Sequence, residues 1–411
     1  MEPKSRDPIS GVAAEIMISD AHSPDRILKR MLSVIREHME MDVAFISEFT
    51  NGQRIFRYVD SPYPDQPIQE GGGNPLEDTY CQRVIDGRLP ELIPDANLNN
   101  EAKEIPATAA VPVGAHLSVP IKLSDGSVYG TLCCFSFEPN VSLNERDLGM
   151  MRAFSVIAAD QLERDIKKRQ KRSEVTARIN SVLSSDSISM VYQPIYNVAK
   201  GAVVGFESLA RFSMTPTRTP DVWFNEASQV GLDAPLEIKT IKLALPLIER
   251  LPTDCYLSVN MSPKLLLDGD IKSVLEEWPA ERIIIELTEH SIIERYEDIV
   301  EALKPLRDQG IRLAVDDVGA GYASFRHILS LSPDIIKLDM SITRNIDTDH
   351  RRRALAAGLI AFAEATDTKI IAEGVETEAE LAMLRKLGVN KAQGYYLGRP
   401  MTSQQLKEYG F

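Results

Sequence analysis

The stretch Ile311-Arg312-Leu313-Ala314-Val315-Asp316-Asp317-Val318-Gly319-Ala320-Gly321 decides how the second half of this 411-residue chain is read. A largely apolar run makes a buried strand, and two adjacent carboxylates followed by a glycine turn stand at its end. Charged side chains placed there can face a shared cavity, where unpaired negative charge is expensive. Something positive is therefore expected between them.

The same pattern recurs outward from this point. Residues 203–206 end in Glu207, 255–259 in Asn260, 283–285 in Glu286 and 369–372 in Glu373, and each run is followed by a helix-like stretch. Strands alternating with helices predict a mostly parallel sheet with crossover helices, and about eight of them close as an α/β fold of the (β/α)8 barrel type. Chemistry in such a barrel belongs at the C-terminal ends of the strands, where these acids fall.

Residues 25–165 read differently. Ile27, Met31, Val34, Ile35 and Met39 recur at helical spacing, and residues 43–49 and 54–59 make two strands about the turn Thr50-Asn51-Gly52. The stretch 61–75 carries too many prolines and glycines for regular structure and reads as a lid or a disordered loop. Residues 116–123 and 127–137 form a second hairpin about Ser124-Asp125-Gly126, so a central antiparallel sheet flanked by helices is expected. Residues 142–183 are helix-forming. Met151, Phe154, Ala158 and Leu162 make one apolar stripe, and Val175, Ile179 and Val182 resume it beyond the polar residues 163–174. Such a helix links the two halves, either pairing with its twin in a homodimer or standing solvated.

Composition narrows the classes. A length of 411 residues fits two domains, one of them a barrel of about 250 residues. No run of about 20 apolar residues or secretion signal is present, so a cytoplasmic chain without a membrane span is expected. The net charge of −14 argues against DNA or RNA as partner, and the basic run at residues 167–172 reads as solvated surface. Cys81, Cys133, Cys134 and Cys255 lack metal-ligand spacing and fit a reducing compartment.

Through its order of elements and stretches such as GAHLSVPIKLSDGSVYGTLCCFSFEP, the first segment resembles a GAF domain, an α+β sensory fold. Members bind cyclic nucleotides, tetrapyrroles or haem, or only dimerise. The Asn-Lys-x-x-x-Phe-Asp-Glu pattern of cyclic-nucleotide-binding members is not found. Cys81, Cys133, Cys134 or His116 would anchor a bilin or haem, against the ordinary reading of each as a small core residue or a structural histidine. The ligand of this GAF-like domain is left unknown.

From residue 180 to about 405 a second resemblance is carried by many motifs in register. They are Tyr192-Gln193-Pro194-Ile195, Gly205-Phe206-Glu207-Ser208-Leu209-Ala210-Arg211, Val259-Asn260-Met261-Ser262, Glu286-Leu287-Thr288-Glu289, Asp316 through Gly321, Lys337-Leu338-Asp339, Ala372-Glu373-Gly374-Val375-Glu376-Thr377 and Gln393-Gly394-Tyr395. In order and spacing they are similar to the EAL family. That resemblance implies hydrolysis of cyclic di-GMP to linear pGpG with two divalent cations, Mg2+ or Mn2+. It implies that Glu207, Asn260, Glu286 and Asp316 hold the first cation, with Asp316 bridging to a second held by Asp317 and Glu373. Lys337 would help activate the attacking water, Glu289 would anchor the loop at residues 316–321, and Gln193, Arg211 and Gln393 would serve the substrate. Five carboxylates on one rim agree with this, since two charges about 4 Å apart repel by about 4 kcal/mol at an effective dielectric near 20, and hard divalent ions relieve such repulsion.

Two departures stand out. The family's Glu-Ala-Leu is Glu207-Ser208-Leu209 here, and its Asp-Asp-Phe-Gly-Thr-Gly is Asp316-Asp317-Val318-Gly319-Ala320-Gly321. The second removes packing area and a hydroxyl from a loop that in the family couples dimerisation to metal binding. His290 and His327 match no ligand and read as structural or exposed. The organisation expected is a GAF-like sensor at residues 20–165, a linker helix at 166–184 and an EAL phosphodiesterase domain at 185–411, homodimeric through barrel and linker. A non-catalytic cyclic di-GMP receptor is the alternative, and degenerate members of that kind normally lose metal ligands.

Overall fold

In the computed structural model the residues after position 42 form the hairpin that the sequence predicts, β1 (Val43–Thr50) and β2 (Gln53–Asp60). Thr50 pairs with Gln53 across Asn51 and Gly52, both in the left-handed region at φ +50° and +73°. Two such residues match the twist of a tight hairpin. The structure describes residues 24–63, 68–106, 108, 111–288, 293, 295–319 and 323–411, which divide into one unit through Lys171 and another from Arg172.

In the first unit β3 (Gly73–Pro75), β4 (Leu92–Ile93), β5 (Ala115–Lys122) and β6 (Val128–Ser136) complete an antiparallel sheet of order β3-β2-β1-β6-β5-β4. The breaker-rich stretch at 61–75 is thus less irregular than expected, because Gly73–Pro75 pairs with the edge of β2; residues 64–67 lie outside the described residues. Helix α1 (Pro24–His38) and the first part of the long α3 (Glu145–Ser184) cover one face through Leu28, Met31, Ile35, Met151, Phe154 and Leu162. The short α2 (Tyr80–Ile85) packs on the other, against Phe45, Phe56 and Phe135. Successive strand side chains point to opposite faces, so Cys133 joins the second cluster and Cys134 the first.

The second unit is a closed ring of eight strands: β7 (Ile188–Asn197), β8 (Ala202–Phe212), β9 (Tyr256–Asn260), β10 (Ile283–Thr288), β11 (Arg312–Val318), β12 (Ile335–Leu338), β13 (Lys369–Ala372) and β14 (Lys391–Ala392). Pairing of β14 with β7 closes it, and a two-residue β15 (Met401–Thr402) adds to the edge of β7. From β8 to β14 every pairing is parallel, whereas β7 runs antiparallel to both neighbours. The last turns of α3 belong to this unit. Val175, Ile179 and Val182 are buried with Trp223, Ala227 and Leu236, from α4 (Pro220–Val230) and α5 (Asp233–Ala244). Arg178 pairs with Glu226 through two hydrogen bonds of 3.0 and 2.9 Å, and Lys239 Nζ donates to the carbonyls of Val182, Leu183 and Ser185, satisfying the helix end. No described helix is long and apolar enough to cross a membrane.

Candidate active site

Barrel strands stack their inward side chains in layers. Ile284, Ala314, Ile335 and Ile371 pack with Ile195 and Tyr256 in one apolar layer. Two residues on, along the same inward faces, come Glu286, Asp316, Lys337 and Glu373. Glu207 follows Gly205 by the same step, and that glycine is needed because a Cβ there would lie 2.5 Å from the Tyr256 ring. Glu207 therefore sits inside β8 and not at its end, since antiparallel pairing with β7 carries the strand on to Phe212.

The positive group among the acids is Lys337. Its ammonium, wholly buried, lies 2.8 Å from Glu373, 2.9 Å from Glu286, 3.0 Å from Asp316 and 3.5 Å from Glu207. Burial opposes this charge, and the four acids outweigh it, holding Lys337 well above the usual lysine range. Burial first, then the other carboxylates against the pull of Lys337, pushes Glu286 and Glu373 above the usual carboxylate range. One ammonium is too little for this many acids.

Adjacent strand residues cannot ordinarily share a face. Here the register of β11 against β12 slips between Val315 and Val318, and Asp317 adopts φ +54°, a left-handed conformation that aspartate tolerates better than most residues. The bulge re-aims Asp317, so that carboxylate oxygens of Asp316, Asp317 and Glu373 all lie within 4.8 Å of one another; those of Glu207, Glu286 and Asp316 do the same. The two triads share Asp316. Gly319 follows at φ +114°, where a Cβ would strike Ile342 at 2.2 Å.

Gln393 Nε2 donates to Glu207 Oε2 at 2.5 Å, and Gln193 Nε2 donates to the Gly398 carbonyl at 3.2 Å in the same wall. Arg211 shares the inward parity of Glu207 but stands four residues further along β8, about 13 Å at a rise near 3.3 Å per residue. It is exposed at the rim, with its Nη1 on the Ala210 carbonyl at 2.8 Å. Asn260 is exposed at the end of β9, in register with Glu286. Glu289 and His290 lie outside the described residues, as do residues 320–322 of the glycine turn. His327 is buried, its Nδ1 2.8 Å from the Tyr296 hydroxyl, a structural place. Sequence reading passed over Glu237 on α5, whose Oε2 accepts from the Ser262 backbone N–H at 2.8 Å and fixes the turn after Asn260. An acid at ordinary helical spacing carries no signal of such a contact.

The donor set fits divalent cations. All donors are hard oxygens, and Glu286 Oε1 is buried with no hydrogen-bond partner. Five carboxylates facing one lysine leave four negative charges, which two divalent ions would cancel.

Comparison with known proteins gives a consistent picture. Residues 176–400, more than half of the chain, match the EAL domain family, and residues 23–162 match the GAF domain family. The cyclic di-GMP phosphodiesterase NbdA of Pseudomonas aeruginosa is 29% identical over 251 residues, covering 57% of this chain and 32% of that protein. The oxygen sensor protein DosP of Escherichia coli is 27% identical over 254 residues, covering 58% and 31%. The chain spans about a third of the length of these curated relatives. Among solved structures, the PaMucR phosphodiesterase in complex with c-di-GMP is 25% identical with a TM-score of 0.51, covering 57% of this chain and 99% of the other. An EAL domain protein from Listeria monocytogenes, 24% identical with a TM-score of 0.52 and covering 57% and 97%, shares the fold.

Proposed function

Since this chain belongs to the EAL domain family and carries a GAF domain ahead of its barrel, we propose that it hydrolyses cyclic di-GMP to linear pGpG by a two-metal reaction. The observation that carries this reading is the pair of acid triads sharing Asp316, with the Lys337 ammonium within 3.5 Å of four of the five acids.

In this reading Glu207, Glu286 and Asp316, with Asn260, would hold one Mg2+ or Mn2+, and Asp316, Asp317 and Glu373 the other. Two such ions, when bound, would supply charge neutralisation for a phosphodiester and lower the pKa of a water. Lys337, within 3.5 Å of four of the acids, would supply a positive charge and donor protons beside the attacking water. Gln393 fixes the orientation of Glu207, and Gln193 lines the same wall. Arg211 presents an exposed guanidinium at the rim, with only its Nη1 engaged by the Ala210 carbonyl, suited to a phosphate oxygen. Glu289 is given the role of anchoring the loop after Asp317. The GAF domain, at about residues 20–165, is proposed to regulate turnover through the helix at 166–184, in a homodimer formed through the helix and the barrel at 185–411.

The test is a turnover assay. Full-length protein with Mn2+ or Mg2+ is expected to convert cyclic di-GMP to pGpG, resolved by liquid chromatography. Asp316→Ala and Glu207→Ala are each expected to lower the rate about a thousandfold or more, equivalent to about 4 kcal/mol of lost transition-state stabilisation. Retained turnover in either variant removes the assigned metal roles. Tight binding without turnover in saturating Mn2+ points instead to a receptor.

A further inference from the structure

The interior of the N-terminal sheet holds a second buried cation. Arg54 on β2 is 6% exposed, and its guanidinium lies over the rings of Phe56 and Phe45, 4.6 and 5.7 Å from their centroids. Its Nε and Nη2 donate to Asn74 Oδ1 at 3.1 and 3.0 Å, and its Nη1 to Cys81 Sγ at 3.3 Å. Among the described residues no carboxylate pairs with it. A buried charge requires an opposite charge, and the one ionisable group that donates or accepts a hydrogen bond with this guanidinium is the thiol of Cys81. The site therefore favours Cys81 as thiolate.

A second thiol stands next to it. Cys133 Sγ on β6 lies 3.6 Å from Cys81 Sγ and within 3.0 Å of Ser118 Oγ and 3.1 Å of Thr131 Oγ1. The two cysteines are 52 residues apart and come from different elements, α2 and β6. Cys134 and Cys255 have no such company: Cys134 Sγ meets Met39 Sδ at 3.7 Å, and Cys255 Sγ meets the Val203 carbonyl at 3.8 Å. Burial would raise both paired thiols. For Cys81 the hydrogen bond from Cys133 and the charge of Arg54 reverse this and draw it below the usual thiol range, whereas Cys133 stays above it.

We propose that Cys81 and Cys133 form a redox-active dithiol, with Cys81 as the attacking thiolate held by Arg54, Cys133 as the resolving thiol and a hydroperoxide as the oxidant. Cys81 Sγ attacks one peroxide oxygen and the O–O bond breaks. The sulfur is oxidised to sulfenic acid, and the other oxygen leaves with a proton as water or alcohol. Cys133 Sγ then attacks the Cys81 sulfur and loses its proton, the S–S bond forms, and hydroxide departs with that proton as a second water. The sum is two thiols and one hydrogen peroxide giving one disulfide and two waters. Bringing the sulfurs from 3.6 Å to a bond of about 2.05 Å requires roughly 1.5 Å of movement shared by α2 and β6. Both sulfurs are fully buried, so the oxidant is one as small as hydrogen peroxide, admitted by local opening of the unit. Oxidation removes the thiolate and leaves the Arg54 guanidinium without a counter-charge, which gives the sheet a structural reason to respond.

The experiment uses the reduced full-length chain, exposed to hydrogen peroxide and then alkylated in acid denaturant before non-reducing peptide mapping. A Cys81–Cys133 disulfide, reversed by dithiothreitol, with Cys134 and Cys255 alkylated, is the expected result. In Cys133→Ser the oxidation stops at a Cys81 sulfenic acid that dimedone captures. Arg54→Met slows oxidation about tenfold, and Arg54→Lys keeps most of the rate. Alkylation of Cys81 and Cys133 to the same extent as Cys134 after peroxide overturns the proposal, and so does a dimedone adduct on Cys134 equal to that on Cys81.

Discussion

Among the described residues two cations, Lys337 and Arg54, are buried in opposite company. Lys337 stands in the barrel among four carboxylates within 3.5 Å, whereas Arg54 stands beneath the N-terminal sheet between two aromatic rings, with an amide and a thiol. The first surrounding has too much negative charge for its cation and invites more positive charge from outside. The second has too little, and obtains an anion by ionising a neighbour. Burial makes both imbalances costly, because water cannot screen them. An excess of fixed charge thus marks a site for ions, and a deficit marks a reactive side chain.

The largest effect expected is from Lys337→Met. Removing the cation strands four acids and should lower stability by about 3–5 kcal/mol in metal-free buffer, with most of the loss recovered in millimolar Mn2+. Thermal unfolding with and without Mn2+ measures this, and an equal loss in both buffers would contradict the idea that ions and ammonium share one charge deficit.

His116 sharpens the other side of the comparison. Burial, and then the charge of Arg54, hold its folded pKa at about 3, against an ordinary 6.5. The unfolded imidazole gains a proton below about pH 6.5 while the folded one stays neutral, so stability is lost as pH falls from 6.5 toward 3. The slope is about 1.4 kcal/mol per pH unit, or about 2 kcal/mol between pH 6.5 and 5. Urea unfolding followed by labelling of buried Cys134 should show this slope in the wild type and its loss in His116→Phe.

Arg54→Met should cost only about 1 kcal/mol, because the stranded Cys81 thiolate takes up a proton and becomes a small apolar group. A loss as large as that of Lys337→Met would mean that the two buried cations are alike after all. The smallest effect is assigned to Ser208→Ala, which restores the family's usual residue and removes a hydroxyl donating to the Ser258 carbonyl at 2.8 Å. Turnover should stay within about twofold, and stability should change by about 1 kcal/mol or less; both are read on the same purified sample.

Much of this was legible in the sequence because its signals are local. The hairpin about Asn51-Gly52, the strand-helix alternation after residue 188 and the order of the acid motifs each follow from short-range chemistry that no distant contact overrides. The short strand at Gly73–Pro75 was missed because backbone pairing to the edge of β2 overrode the breaker residues. Position within a strand was misjudged for Glu207, since the length of β8 is set by its partner β7 and not by its own composition. Asp316 and Asp317 invited a shared cavity in the sequence, yet period-two alternation forbids it, and only the register slip against β12 resolves the conflict.

The amino-acid order by itself determined the barrel's strands and which acids lie on or beside them, because hydrophobic period is a property of consecutive residues, whereas the register slip against β12 decided that Asp317 joins the cluster. Tertiary structure alone decided that Lys337 is the charge at the centre of those acids and that Cys81 meets Cys133 rather than its sequence neighbour Cys134. Charge balance and sulfur contact depend on which distant elements converge within a few ångströms, and chain closure sets that convergence.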